Sequence, residues 1–109
     1  MSELLERVFY DGKMRGVYHY EKIYGLLTSW GAIRVSAEVK GADGYSVWLL
    51  NNGTNLRMSY QLIREDAGKP DTEEKHHIKI ETIGHLEDIL ETEKILRAEQ
   101  KNSLAAIAK

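Results

Sequence analysis

The chain has 109 residues, of which 42% are hydrophobic and 29% charged, and its formal net charge is −2. This balance predicts one folded domain over residues 1–109 and excludes disorder over most of the length. A slightly acidic chain without clustered Lys and Arg disfavours duplex DNA as the main partner. Because the chain has no cysteine, disulfides, thiolate zinc sites and cysteine nucleophiles are excluded. We find neither a signal-peptide pattern nor the about 20 consecutive apolar residues that cross a bilayer, so we expect a cytoplasmic protein without a membrane partner.

The first segment is compatible with two local structures. Ser2 can cap a short helix whose apolar residues up to Phe9 share one side, and Asp11-Gly12 would end that helix. The alternative makes Asp11-Gly12 a hairpin turn between strands at residues 7–10 and 13–15. We favour the helix.

A second helix is predicted from Val17 to Trp30. Its apolar residues recur at helical spacing, and Gly31 follows as a natural left-handed stop. The tyrosines at residues 18 and 20, with the histidine between them, leave a strand as the alternative at that point. Whether residues 7–20 are helix or strand therefore stays open at this stage, although the preferred assignment makes the N-terminal third helical.

Residues 32–40 alternate between apolar and polar side chains, which predicts a half-buried strand of an antiparallel sheet. The apolar side chains are Ile33, Val35, Ala37 and Val39. A Gly-rich turn at residues 41–44 then leads into the next strand.

The stretch from Tyr45 to Ile63 predicts a β-hairpin. Asn52-Gly53 between two β-prone runs is the typical signal of a two-residue type I′ turn. That turn places an apolar row on one face, in which Tyr45 faces Tyr60, Val47 faces Met58 and Leu49 faces Leu56. On the other face, Ser46 lies opposite Ser59 and Trp48 lies opposite Arg57.

The remainder of the chain predicts a loop, a strand and a helix. Residues 64–75 are almost free of apolar side chains and contain the only proline, which is typical of an exposed loop. Residues 77–83 alternate as a fourth strand, with Ile78 and Ile80 inward, and a helix runs from His85 to near the end. The predicted fold is therefore α+β: a helical N-terminal third, an antiparallel meander of three to four strands, and a long C-terminal helix packed on the sheet.

The histidines near residue 80 suggest a metal site only weakly. His76, His77 and His85 lie close in sequence to Glu73 and Glu74, but neighbouring strand residues point to opposite faces and no His-Glu-x-x-His spacing occurs. Nucleophile elbows and phosphate-binding glycine motifs are also absent from the sequence. We therefore predict no metal, no cofactor and no catalytic residue, and keep a small metal- or ligand-dependent enzyme as the third interpretation.

The face that carries Trp48 and Arg57 is the predicted binding site, with Ser46 and Ser59 beside them. Arg over an indole forms a cation–π pair, and Trp, Arg and Tyr are enriched at binding hot spots. Two alternatives give this face no binding role: a local surface pair without a partner, and a second core side covered by the C-terminal helix.

These patterns favour a non-catalytic binding or regulatory module that acts by protein–protein contact, such as an accessory or inhibitor protein. A homodimer through the C-terminal helix or a sheet edge is one form of that contact. The second interpretation is a nucleic-acid-binding protein in which the aromatic and Arg face stacks on single-stranded bases.

Overall fold

The computed structural model describes residues 3–15, 17–41, 43–64 and 74–107. These residues form five strands and two helices. In chain order the elements are β1 (Leu5–Arg15), α1 (Tyr18–Ser29), β2 (Ile33–Lys40), β3 (Asp43–Leu49), β4 (Asn55–Leu62), β5 (Lys75–Gly84) and α2 (Leu86–Ile107).

The five strands form one antiparallel sheet in the order β1-β5-β4-β3-β2. The α+β class is confirmed. The predicted arrangement was wrong, because the N-terminal third begins with a strand and the sheet has five strands instead of three or four.

The N-terminal segment is a strand that pairs with β5 along its whole length, with a bulge at Phe9. Asp11 and Gly12 lie inside this strand, so neither the predicted helix end nor the alternative hairpin turn forms there. Gly12 makes room for the Tyr10 ring, since a Cβ at residue 12 would lie 2.8 Å from the tyrosine hydroxyl. A short isolated helix is marginal in water, whereas long-range pairing suits β-prone side chains, so the sheet prevails. Ser2, the predicted cap, lies outside the described residues.

Helix α1 is confirmed, and the strand alternative at its start is wrong. Its inward residues recur at helical spacing and are buried: His19, Tyr20, Ile23 and Leu27. The chain leaves the helix at Trp30, and Gly31 has the left-handed φ of +76° that the sequence predicted.

The meander of β2, β3 and β4 is also confirmed. The predicted half-burial of β2 was wrong, because all eight of its residues are exposed. β2 lies at an edge of the described sheet, so its apolar side chains face solvent: Ile33 is 62% exposed and Val39 is 71% exposed.

The turn between β3 and β4 is a three-residue loop, and the predicted two-residue type I′ turn was wrong. The N–H of Gly53 donates to the carbonyl of Leu50 at 3.0 Å, and the N–H of Leu50 donates to the carbonyl of Thr54 at 2.9 Å. Within this loop Gly53 has a positive φ, +89°, whereas Asn52 does not. A type I turn followed by a left-handed glycine fits these bonds. The side chain of Asn52 instead docks on α2, donating to the carbonyl of Asp88 and the hydroxyl of Thr92 at 3.2 Å each.

The extra loop residue displaces the hairpin register by one position. Trp48 faces Leu56, and Val47 faces Arg57. Because side chains alternate along a strand, this shift exchanges the two faces of β3 while β4 keeps its predicted inward row.

The fourth strand is confirmed as β5, with Ile78 and Ile80 fully buried. The predicted exposed loop at residues 64–75 lies mostly outside the described residues. Both helices cover the same face of the sheet: α1 contacts β3 through Tyr20 and Tyr24, and α2 packs against α1, β5 and β1. The core between these layers includes Leu27, Leu56, Met58, Ile78, Ile80 and Leu96.

Candidate functional site on the open face of the sheet

No described element covers the second face of the sheet, which we call the open face. Strand pairing assigns its side chains, because paired residues in an antiparallel sheet share a face. Described residues on this face include Glu6, Val8, Asp11 and Lys13 of β1; His77, Lys79, Glu81 and Ile83 of β5; Asn55, Arg57, Ser59 and Gln61 of β4; Tyr45, Val47 and Leu49 of β3; and Ile33, Ser36, Glu38 and Lys40 of β2.

Two of the four predicted binding residues lie in the core instead. Trp48 is 3% exposed and packs edge-on against Tyr24, with ring centroids 4.9 Å apart. Its indole N–H donates to the Ser46 hydroxyl at 2.9 Å, and that hydroxyl also lies 2.8 Å from the Tyr20 hydroxyl. The predicted surface pair of Trp48 with Arg57 was therefore wrong. The alternative of a second core side under the C-terminal helix was also wrong, because Trp48 belongs to the one core cluster and packs against Tyr24 of α1.

Ser46 is a polar residue in the buried row of β3. Its hydroxyl has two polar partners, so burial leaves no hydrogen-bonding group unsatisfied. Burial raises the pKa of the Tyr20 hydroxyl, which keeps this tyrosine protonated and able to bond Ser46.

The other two predicted binding residues, Arg57 and Ser59, lie on the open face. Arg57 forms an ion pair with Glu6 of β1 and lies 3.5 Å from Glu81 of β5. Lys79 lies 3.8 Å from Glu81. The centre of the open face is therefore a network of alternating charges in which positive and negative side chains are partly exposed.

A shallow depression of about 290 Å³ lies beside this network. Its walls on the open face are Tyr45, Val47, Arg57, Ser59, Lys79 and Glu81. An aromatic ring, an aliphatic side chain, a hydroxyl and both signs of charge thus surround one concavity. Such a mixture suits the side chains of a partner protein, since interfaces combine an apolar core with a polar rim.

The open face has an apolar patch over β2 and β3. Ile33 faces Leu49 across the two strands, and Tyr45 lies two residues before Val47 on the same face. Ile33, Leu49 and Tyr45 are each more than a third exposed. The open face therefore has an apolar patch on β2 and β3, next to the Glu38–Lys40 pair of β2 and the charged residues of β4, β5 and β1.

The three histidines do not converge. His76 is buried on the helix side, 6.2 Å from the Tyr60 ring, whereas His77 lies on the open face and bonds Asp11. That hydrogen bond lowers the pKa of the Asp11 carboxyl. His85 lies at the junction of β5 and α2. Within the described ranges we find no group of three metal-ligating side chains, and Glu73 lies outside them.

Sequence reasoning missed a buried carboxylate between β1 and α2. Glu93 is 1% exposed and accepts two bonds from Arg7, at 3.0 Å and 3.1 Å, and one from Arg97 at 3.0 Å. A signal was present, because Glu93 falls among apolar positions of the helix where leucine is expected. The missing information was the partner: Arg7 comes from a strand that the sequence predicted as helix.

His19 is a second buried polar residue that the sequence did not single out. It is 1% exposed, its ring lies edge-on to Tyr10 at 5.0 Å, and neither ring nitrogen has a hydrogen-bond partner among the described residues. Burial lowers the pKa of the imidazole, so the neutral form fits this position.

Neither described helix is long and apolar enough to span a bilayer. Comparisons with protein-family models, with curated proteins and with solved structures gave no match. The open face therefore has to be interpreted from its own chemistry.

Proposed function

We propose that this chain is a non-catalytic binding or regulatory module that acts by protein–protein contact through the open face of its sheet. One observation carries the proposal: an uncovered sheet face with an apolar patch beside a network of ion pairs. Exposed apolar area bordered by polar groups is typical of protein-binding surfaces. An accessory or inhibitor role in the cytoplasm is the form that we propose.

The residue types on this face support a protein partner. Tyr45 and Arg57 flank the depression, and Tyr and Arg are enriched among residues that dominate binding energy. Arg57 already bonds two carboxylates, so a partner gains from it by offering a better-placed acidic group. Ile33 and Leu49 add apolar area that a partner would remove from water, at about 25 cal/mol per Å².

The charges on this face support nucleic acid less well. The cations Lys13, Arg57 and Lys79 alternate with the anions Glu6, Asp11 and Glu81. A phosphate backbone requires a continuous positive surface for affinity. The indole that was expected to stack on bases is buried, which removes the observation that favoured this alternative.

The enzyme interpretation gains no specific support either. His76 and His77 lie on opposite faces of β5, so they cannot act on one substrate together. The described part of the chain thus favours contact over chemistry.

The test is affinity capture from the source cell with a pair of matched double variants. Tyr45→Ala with Arg57→Ala removes an aromatic ring and a cation from the open face. Tyr18→Ala with Lys22→Ala removes the same two chemistries from the solvent side of α1, where the Lys22 amine lies 5.2 Å from the Tyr18 ring. We expect the open-face variant to lose a protein that the wild type and the α1 variant both retain.

Equal capture by both variants would exclude the open face as the binding site. Capture of RNA alone, abolished by the open-face variant, would replace the protein partner with nucleic acid. Circular dichroism of each variant checks that the fold is unchanged, which we expect because all four side chains are at least partly exposed.

A further inference from the structure

The free edge of β2 exposes backbone groups beside the open face. β2 pairs with β3 on one side only, within the part of the chain that the structure describes. Its eight residues are all exposed, so neither helix overhangs it. An edge strand of this kind presents unpaired N–H and C=O groups to any second strand that can align with them.

The hairpin geometry shows which backbone groups face outward. Lys40 pairs with Asp43 across a two-residue loop, and the closing pair of such a loop exchanges its backbone hydrogen bonds. Bonded and non-bonded pairs alternate along an antiparallel ladder. The pair of Val39 with Gly44 is therefore non-bonded, and the N–H and C=O of Val39 point away from β3, toward the free edge. The same alternation directs the backbone groups of Ala37 outward.

A bulge limits the length of regular edge. The register of β2 with β3 shifts between Arg34 and Ser36. The regular alternation of side chains between the two faces is therefore interrupted there, and Ile33 and Ser36, three residues apart, lie on the same face. Bulges of this kind restrict pairing at an edge. Only the run from Ser36 to Lys40 is regular enough to accept another strand.

The side chains of this run complement themselves. Glu38 and Lys40 share one face and form an ion pair at 3.3 Å, while Val39 projects from the other face. If an antiparallel copy of β2 aligns with Val39 opposite its own counterpart, each Glu38 faces the partner's Lys40 and each Lys40 faces the partner's Glu38. Opposite charges at directly facing positions contribute about 0.2–1 kcal/mol per pair.

The neighbouring registers are worse. A two-fold axis at Glu38 places two carboxylates face to face, which is destabilising. An axis at Ala37 places Ser36 opposite Glu38 and moves Lys40 toward Arg34, a like charge beyond the bulge. The charges and the bulge together therefore select the register centred on Val39.

We infer that two copies of this chain associate through β2, antiparallel and in the register centred on Val39, to form a continuous sheet of ten strands. Because the axis is perpendicular to the sheet, the helices of both copies lie on the same side and both open faces remain accessible. In this register only residues 38–40 of the regular run face their counterparts, so the contact is short and the dimer is weak and concentration-dependent. This inference does not rest on the proposed function, since the dimer uses the backbone edge of β2 with Glu38 and Lys40, whereas the proposed function uses the residues around Tyr45 and Arg57.

The absence of cysteine from the sequence allows a clean test of the register. Val39→Cys places two thiols at the axis, where the about 5.5 Å between Cα atoms of a bonded pair suits a disulfide. The matched control Ala37→Cys places its thiols four residues out of register, about 13 Å apart along the strands. We expect mild oxidation to give a disulfide-linked dimer from Val39→Cys and not from Ala37→Cys. Equal cross-linking of both variants, or of neither, would overturn the register.

Charge reversal tests the complementarity. Glu38→Lys places like charges opposite each other twice per dimer, so we expect the dissociation constant in sedimentation equilibrium to rise about tenfold. Glu38→Lys combined with Lys40→Glu restores both facing pairs and should restore the wild-type constant. A double variant as weak as the single one contradicts the facing pairs.

A wild type that stays monomeric over a wide concentration range overturns the dimer altogether. That result leaves the proposed function intact, because the capture experiment with Tyr45 and Arg57 is independent of self-association.

Discussion

The two faces of the β3–β4 hairpin lie in opposite environments. Toward the helices, Trp48 and Leu56 pair across the strands and are buried. Away from them, Val47 pairs with Arg57 at the rim of an open depression. One loop residue determines this division, because a register shift by one position exchanges the faces of a strand. Turn type, more than hydrophobic alternation, therefore assigned Trp48 to the core and Tyr45 to the open face.

The same division separates two arginine–carboxylate networks. On the helix side, Arg7 and Arg97 bind the fully buried Glu93. On the open face, Arg57 binds Glu6 and approaches Glu81, with all three side chains partly exposed. The two networks contain the same residue types but differ in their exposure to solvent. The Glu93 network holds β1 against α2, whereas the Arg57 network is accessible to a partner.

The largest expected effect is on the buried face of the hairpin. Trp48→Ala removes a large side chain from the core and leaves the Ser46 hydroxyl with one partner fewer, so we expect a loss of about 3–5 kcal/mol in the free energy of unfolding. Val47→Ala, one residue away on the open face, should cost less than about 1 kcal/mol. Urea unfolding of both variants measures the difference. Equal losses would contradict the register of the hairpin.

The hairpin shows which part of the fold could be predicted from the sequence and which could not. The inward row of β4, with Leu56 and Met58, was predicted correctly from alternation. The facing row of β3 was not, because Asn52-Gly53 is compatible with a two-residue loop and with a three-residue loop that begins at Asn51. Choosing between them requires tertiary contacts: the Asn52 side chain binds α2, and Ser46 finds its polar partners in the core.

The wrong prediction of a helix at the N-terminal strand has a related cause. Short-range capping and turn signals favoured a helix that ended at Asp11-Gly12, but the partner of β1 is β5, which lies more than sixty residues later in the chain. Local patterns carry no information about such pairing. The candidate site was affected by the register error alone, which placed Trp48 and Ser46 in the core, so only Arg57 and Ser59 of its predicted residues lie on the open face.

The second expected effect compares the two arginine networks through identical substitutions. Glu93→Gln removes a buried charge that two arginines bind, and we expect a loss of about 2 kcal/mol. Glu6→Gln weakens the exposed pair with Arg57 and should cost less than about 1 kcal/mol. Chemical unfolding at low ionic strength gives both values. A loss for Glu6→Gln as large as that for Glu93→Gln would show that the open-face network is structural.

The third expected effect is a pH dependence from His19 on the helix side. Because burial lowers the pKa of its imidazole, the unfolded chain binds the proton more readily than the folded one. Neutral His19 therefore makes its full contribution to stability above about pH 6.5, the pKa of the unfolded chain. That contribution is lost as the pH falls below this value toward the lower pKa of the folded state. The free energy of unfolding then decreases by up to about 1.4 kcal/mol per pH unit. His19→Phe should remove this slope in unfolding experiments between pH 7 and pH 5. An unchanged slope would show that another group titrates.

The smallest expected effect on stability belongs to Arg57, the residue that the proposed function uses most. Its side chain is 44% exposed, so Arg57→Ala should lower the free energy of unfolding by less than about 1 kcal/mol. Salt at 1 M should remove most of that difference, because the screening length falls to about 3 Å. Val47→Ala is the control, since an apolar truncation has no such dependence on salt. A loss above about 2 kcal/mol that persists in salt would mean that Arg57 holds the sheet together. A small, salt-sensitive loss combined with failed partner capture would mean that the residue is retained on the open face for binding.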